Sequence, residues 1–185
     1  MTAWNKDKLF IHIPKTAGMS IAKTMKPLEG VKPHAPIWDP ELPDLPTFTV
    51  VRNPYDRAVS MWKFASQKRL LNPIDPSISF QHYLYNHFTK PFPSWRAEFQ
   101  LHTHNASCSY VYEEFYPSIP MLDFITIHGI VAVDEIIRFE DLNIDVKENV
   151  SEKKINHYRD VYTEESKEFV SHIWKKDIEY FGYKF

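Results

Sequence analysis

Residues 9–20 read LFIHIPKTAGMS, and this stretch decides the fold. Leu9, Phe10, Ile11 and Ile13 have the β-branched and aromatic bias of a short buried strand. Pro14 stops the run, and Ser20 opens a segment in which Ile21, Ala22 and Met25 fall at helical spacing. The stretch is predicted to run strand, tight loop, helix, with the helix at about Ser20 to Lys26. A Gly-containing loop feeding a helix N-terminus exposes backbone N–H groups and a partial positive charge, to which Lys15, Thr16 and Ser20 add a cation and hydroxyls. Such a loop suits a phosphate-like anion. An ordinary strand-to-helix turn with a solvated Lys15 is the alternative. The order differs from the ATP-type GxxxxGK[ST] loop, because Lys15 precedes Gly18 instead of following it.

The same arrangement recurs downstream. Thr47–Val51 (TFTVV) reads as a second strand and runs into RNPYDRAVSMW at residues 52–62. Asn53 is a natural N-cap and Pro54 a natural first helical residue, with Asp56 in the first turn. Arg52 then stands at the carboxyl end of a strand beside a helix start, with Arg57 and Ser60 one and two turns along. Two such strand ends form the crevice that open α/β sheets use for ligands, so two anion sites are expected. A salt bridge from Arg52 to Asp56 is the plainer reading of that residue.

Composition sets the limits. The chain has 185 residues, enough for one domain with a real core, expected to span 1–185. A formal net charge of -2 gives no global field for nucleic acid, so an anion site must be local. No run approaches the ~20 apolar residues of a spanning helix, and the first ten residues lack the apolar core of a secretion signal. With the lone Cys108 unable to form an internal disulfide, the expectation is a soluble protein of a reducing, cytoplasmic compartment.

The remaining segments are read more coarsely. Pro27 to Pro46 is Pro-rich, aperiodic and expected to be an ordered functional loop carrying His34. Ser79–Phe88 is expected to be helical, and Ile130–Phe139 to be a strand. Thr163–Tyr180 reads as one amphipathic helix opened by Thr-x-x-Ser and docked through Phe169, Val170, Ile173, Trp174 and Ile178. Tyr158 and Arg159 precede it and are polar enough to reach a ligand. His102 and His104 form an H-x-H pair, but no third ligand falls at a recognisable spacing from them, and no metal is expected. Trp38 and Trp95 would stack on a sugar or pack in the core.

Taken together, FIHIPKTAGMS, VVRNPYDRAVSMW, IIRFEDL and HYRDVYTEES…WKKDIEYFGY closely resemble, in order and spacing, the carbohydrate-type sulfotransferases of the heparan and chondroitin kind. That family uses 3′-phosphoadenosine 5′-phosphosulfate (PAPS). The resemblance runs from Leu9 to Phe185. It implies an α/β fold, a single domain with a central parallel sheet flanked by helices, related to the P-loop-containing nucleoside triphosphate hydrolases. It further implies that Lys15, Thr16, Ala17, Gly18, Met19 and Ser20 form the 5′-phosphosulfate loop, that Arg52 and Ser60 hold the 3′-phosphate, and that Arg159 also contacts the nucleotide. His34 stands where that family commonly has the base that deprotonates the acceptor hydroxyl, with His102 or His104 in reserve. Met19 departs from the family's usual threonine and removes a hydroxyl from the loop. The partners implied are the nucleotide and a hydroxyl acceptor, a glycan or small molecule. A P-loop nucleotide kinase, which would need Lys after the glycine, and a non-catalytic nucleotide-binding member of the fold are the competing readings.

Overall fold

The structure is a computed structural model that describes residues 1–66, 75–88, 119–144 and 155–185. Its centre is a five-stranded sheet in the order β3 (Gly30–Lys32), β1 (Thr2–Trp4), β2 (Leu9–Ile11), β4 (Thr47–Val51) and β7 (Glu135–Arg138). The strands that carry the two motifs are parallel. Leu9 to Ile11 pair with Thr47 to Thr49, and Phe48 to Val51 pair with Glu135 to Arg138. The sheet as a whole is mixed, because β1 runs antiparallel to both β2 and β3. The wholly parallel sheet of the sequence reading is thus realised only in β2, β4 and β7.

Alternation along the strands sorts the core into two layers. Leu9, Ile11, Ile13 and Val51 face Ile119, Met121, Phe124, Ile125, Phe181 and Tyr183. Phe10, Phe48 and Val50 face the other way, onto Ile21 of helix α1 (Gly18–Thr24) and Met25, the residue that caps its C-terminus. Covered on both sides, β2 and β4 are largely apolar, LFI and TFTVV, and the buried Thr49 hydroxyl is satisfied by donating to Ile11 O at 2.7 Å.

Helix α2 (Pro54–Ala65) follows β4 with the expected cap: Asn53 Oδ1 accepts from Tyr55 N at 3.0 Å, and Pro54 is the first helical residue. Asn53 does more. Its backbone N donates to Glu140 at 2.7 Å and its side-chain nitrogen to the Lys184 carbonyl at 2.9 Å. Helix α3 (Phe80–Phe88) packs on α2 through Trp62, Phe80, Tyr83, Leu84 and Phe88. A short helix α4 (Leu122–Ile125) leads into a small hairpin, β5 (Thr126–Ile127) and β6 (Ile130–Val131). The expected strand over 130–139 is therefore two, β6 and β7.

The C-terminal helix is also divided. Helix α5 (Glu164–Ile173) opens on a reciprocal cap between Thr163 and Ser166, and α6 (Lys175–Phe181) begins after Trp174. Trp174 is fully buried, with φ −107° and ψ 31°. Among the described residues no helix is long and apolar enough to cross a membrane. Trp95, His102, His104 and Cys108 lie outside the described residues.

Candidate functional site

The loop between β2 and α1 is built by turning its carbonyl groups inward. His12 O accepts from the His34 ring at 3.3 Å, Ile13 O from Thr16 Oγ1 at 2.7 Å, Pro14 O from Arg57 at 3.2 Å, and Lys15 O from Arg52 at 3.1 Å. Ala17 O accepts from the Ser20 and Ile21 backbones. With these carbonyls engaged inside the protein, the loop has the polarity that suits an anion. Two non-glycine residues adopt left-handed backbone to achieve it, Lys15 at φ 70° and Ala17 at φ 65°. L-residues take that conformation only when their surroundings impose it, and alternation of this kind gathers successive N–H groups into an anion-binding hollow.

Gly18 is required for a different reason. A Cβ there would sit 2.0 Å from the His12 ring, so a side chain and the buried imidazole cannot share the space. Met19, by contrast, is 61% exposed, and its side chain turns away from the core. Ser20 is half-buried in the first turn of α1, and Thr16 is fully buried, spent on holding the loop.

The Lys15 ammonium lies 4.1 Å above the Phe64 ring, on the last turn of α2. Asp56, Ser60 and Phe64 are spaced four apart and form one ridge of that helix. Arg52 is bound at one end of the ridge, Nε to Asp56 at 2.8 Å, and its guanidinium stacks on Phe139 at 4.1 Å. Buried Ser60 lies between. Two cations and a hydroxyl from separate sequence motifs thus line one ridge. The plainer reading of Arg52, a salt bridge to Asp56, is realised, and the same guanidinium also bonds the Lys15 carbonyl of the loop.

His34 has a positive φ of 42° and is half-buried, its ring 4.5 Å from that of His12. Burial, then the Met1 amino group and Lys15, push its pKa down to about 3, against a lesser raising effect of the bond to the His12 carbonyl. The imidazole is consequently neutral at ordinary pH. Because the His12 carbonyl can only accept, the His34 proton sits on Nδ1 and the lone pair on Nε2. His12 itself is buried and held well below the usual imidazole range, first by desolvation and then by the neighbouring His34, Met1 amino group and Lys15. Sequence reading passed over it as one more residue of the strand. The signal was a polar residue inside an apolar run one step before the loop.

Arg159 stands elsewhere. It is exposed on a single turn of 3-10 helix, Tyr158–Val161, its guanidinium over the Tyr158 and Phe185 rings at 5.6 and 5.5 Å. That turn touches the α2 N-terminus through Tyr158, whose hydroxyl is 3.5 Å from the Asn53 side-chain nitrogen. Arg57, the other arginine of the motif, is fully buried and serves the loop from beneath, bonding Pro14 O and, at 3.0 Å, Ile119 O.

A family model described as the sulfotransferase family matches residues 4–184. No curated protein and no solved structure matches the chain.

Proposed function

The chain belongs to the sulfotransferase family, and from that we propose that it moves a sulfuryl group from PAPS to an acceptor hydroxyl, with a carbohydrate as the acceptor. The loop polarity carries this reading. Five carbonyls accept hydrogen bonds from within the protein, which gives the loop the polarity that suits an anionic 5′-phosphosulfate, with the Lys15 ammonium beside it over the Phe64 ring. Arg52 and Ser60, on the ridge that Lys15 also contacts, take the 3′-phosphate. Met19 contributes its backbone to the loop and no hydroxyl.

In the reaction the acceptor oxygen attacks sulfur while the bond from sulfur to the phosphate oxygen breaks, and the electron pair leaves on that phosphate. His34 Nε2 takes the hydroxyl proton. Lys15 and the loop amides stabilise the charge that develops on the departing phosphate, worth about 3 kcal/mol per well-placed donor. Adenosine 3′,5′-bisphosphate is the product.

The test is transfer of labelled sulfate from PAPS to a panel of glycans, small alcohols and tyrosyl peptides. Labelled glycan is expected, with Lys15→Ala and His34→Ala both nearly inactive. Calorimetry with adenosine 3′,5′-bisphosphate should show His34→Ala binding like the parent and Arg52→Ala binding more weakly. A chain that neither transfers sulfate nor binds the bisphosphate would overturn the reading.

A further inference from the structure

His12 is wedged between the two parts that must cooperate in transfer, the loop at Gly18 and the His34 ring. One edge of its ring lies where a Cβ on Gly18 would stand, at 2.0 Å, so it fills the underside of the anion loop. Its face lies against His34, with centroids 4.5 Å apart and planes tilted by 39°. Behind it Phe10 stacks at 5.6 Å. On the residue before β1, the Met1 nitrogen meets His12 Nδ1. Its backbone is set from the same strand, since His12 N donates to Thr2 Oγ1 at 3.2 Å while that hydroxyl donates to the Ala35 carbonyl at 2.8 Å, the residue after His34.

We propose that His12 is the positioning residue of the active site, whose ring and carbonyl fix the place, tautomer and proton affinity of His34 relative to the phosphosulfate loop. This rests on the sulfuryl-transfer reading above. The physical argument is one of rigidity. His34 lies in the turn that follows the short strand β3, outside any regular element, and a displacement near 1 Å costs on the order of 10²-fold in rate. His34 is instead clamped by a residue whose own position is fixed by a strand, and that residue also touches the loop holding the donor. Of the groups facing His34, the Met1 amino group and Lys15 oppose a positive charge on it, while the bond to the His12 carbonyl favours one.

The experiment compares full-length parent, His12→Ala, His12→Phe and His34→Ala in steady-state transfer across pH, alongside calorimetry with adenosine 3′,5′-bisphosphate. His12→Ala is expected to lower kcat about 10- to 100-fold with bisphosphate affinity within about twofold of the parent, and to move the acid limb of kcat upward as His34 relaxes toward an ordinary imidazole. His12→Phe keeps the wedge and should recover most of kcat. Combining His12→Ala with His34→Ala should cost no more than His34→Ala alone. Parent kcat and an unmoved acid limb in His12→Ala would overturn the proposal, as would equal losses in bisphosphate binding and in rate, which mark a purely structural role. If the variants fail to fold, nitrogen-15 NMR of the parent decides: His34 carrying its proton on Nδ1 is expected, and a proton on Nε2 sinks the idea. Transfer that survives in His34→Ala condemns the base assignment itself, a different outcome from failure of the His12 role.

Discussion

Arg57 Nε donates to the carbonyl oxygen of Pro14 across 3.2 Å, so the loop that turns its amides outward is pinned from below by a guanidinium with no solvent exposure. The same side chain bonds Ile119 O at 3.0 Å and stacks on Trp174 at 4.8 Å, and its charge favours the ionised form of Asp177. Removing it strips two carbonyls of a charged donor and leaves a buried carboxyl without its counter-charge. Arg57→Met should therefore cost about 3 kcal/mol or more, read by chemical denaturation. A loss under about 1 kcal/mol would show that the guanidinium is not the pin.

Gly18→Ala sets two effects against each other. In a free helix the change stabilises by about 1 kcal/mol. Here the new methyl meets the His12 ring at 2.0 Å, and that imidazole is buried and cannot withdraw into solvent. Overpacking of this kind costs about 1–3 kcal/mol, so the net sign should be destabilising and transfer activity should fall with it. A raised melting temperature in Gly18→Ala would show that His12 yields freely.

Asp177 accepts from the Met121 and Leu122 backbones at 2.6 and 3.0 Å, capping α4, yet burial pushes its pKa up to about 6 despite Arg57 and those two bonds. A carboxyl whose pKa rises on folding gives its full stabilisation below the unfolded value of about 3.9 and loses it as pH climbs to the folded value. Stability of the parent minus that of Asp177→Asn should thus decline from about pH 4 to about pH 6 and then level, by on the order of 2 kcal/mol. A difference that stays flat over that window, in urea titrations, contradicts the shift.

For His34 the sign is reversed. Its folded pKa, about 3, lies below the ordinary imidazole value, so the neutral base persists in the free enzyme as pH falls through 6 and 5. The acid limb of kcat/KM should consequently lie well under pH 6, and that of kcat, measured with the anionic donor bound, should lie higher. A kcat/KM limb at the ordinary imidazole value of about 6.5 would mean the base is solvated.

Sequence carried the two strand-loop-helix units because each signal in them is local. A run such as TFTVV, a Pro after Asn, and apolar residues at helical spacing are all read within a few positions. What escaped depends on pairing at a distance. Strands β1 and β3 are three residues each and exist because Thr2–Trp4 lies between Phe10 and Val31. The break at Trp174 leaves no mark, since the apolar pattern through Phe169, Val170, Trp174 and Ile178 continues across it without Gly or Pro. In the site, Lys15 and Arg52 stood out because cations at strand ends are conspicuous. His12 and Phe64 did not, because their meaning lies in which side chain rests on them.

The clasp at Asn53 ties together two stretches far apart in the chain. Its side-chain nitrogen reaches the carbonyl of Lys184, 131 positions further along. The helix start beside Arg52 is thereby fastened to the segment that follows α6, so a local opening of either stretch also loosens the other.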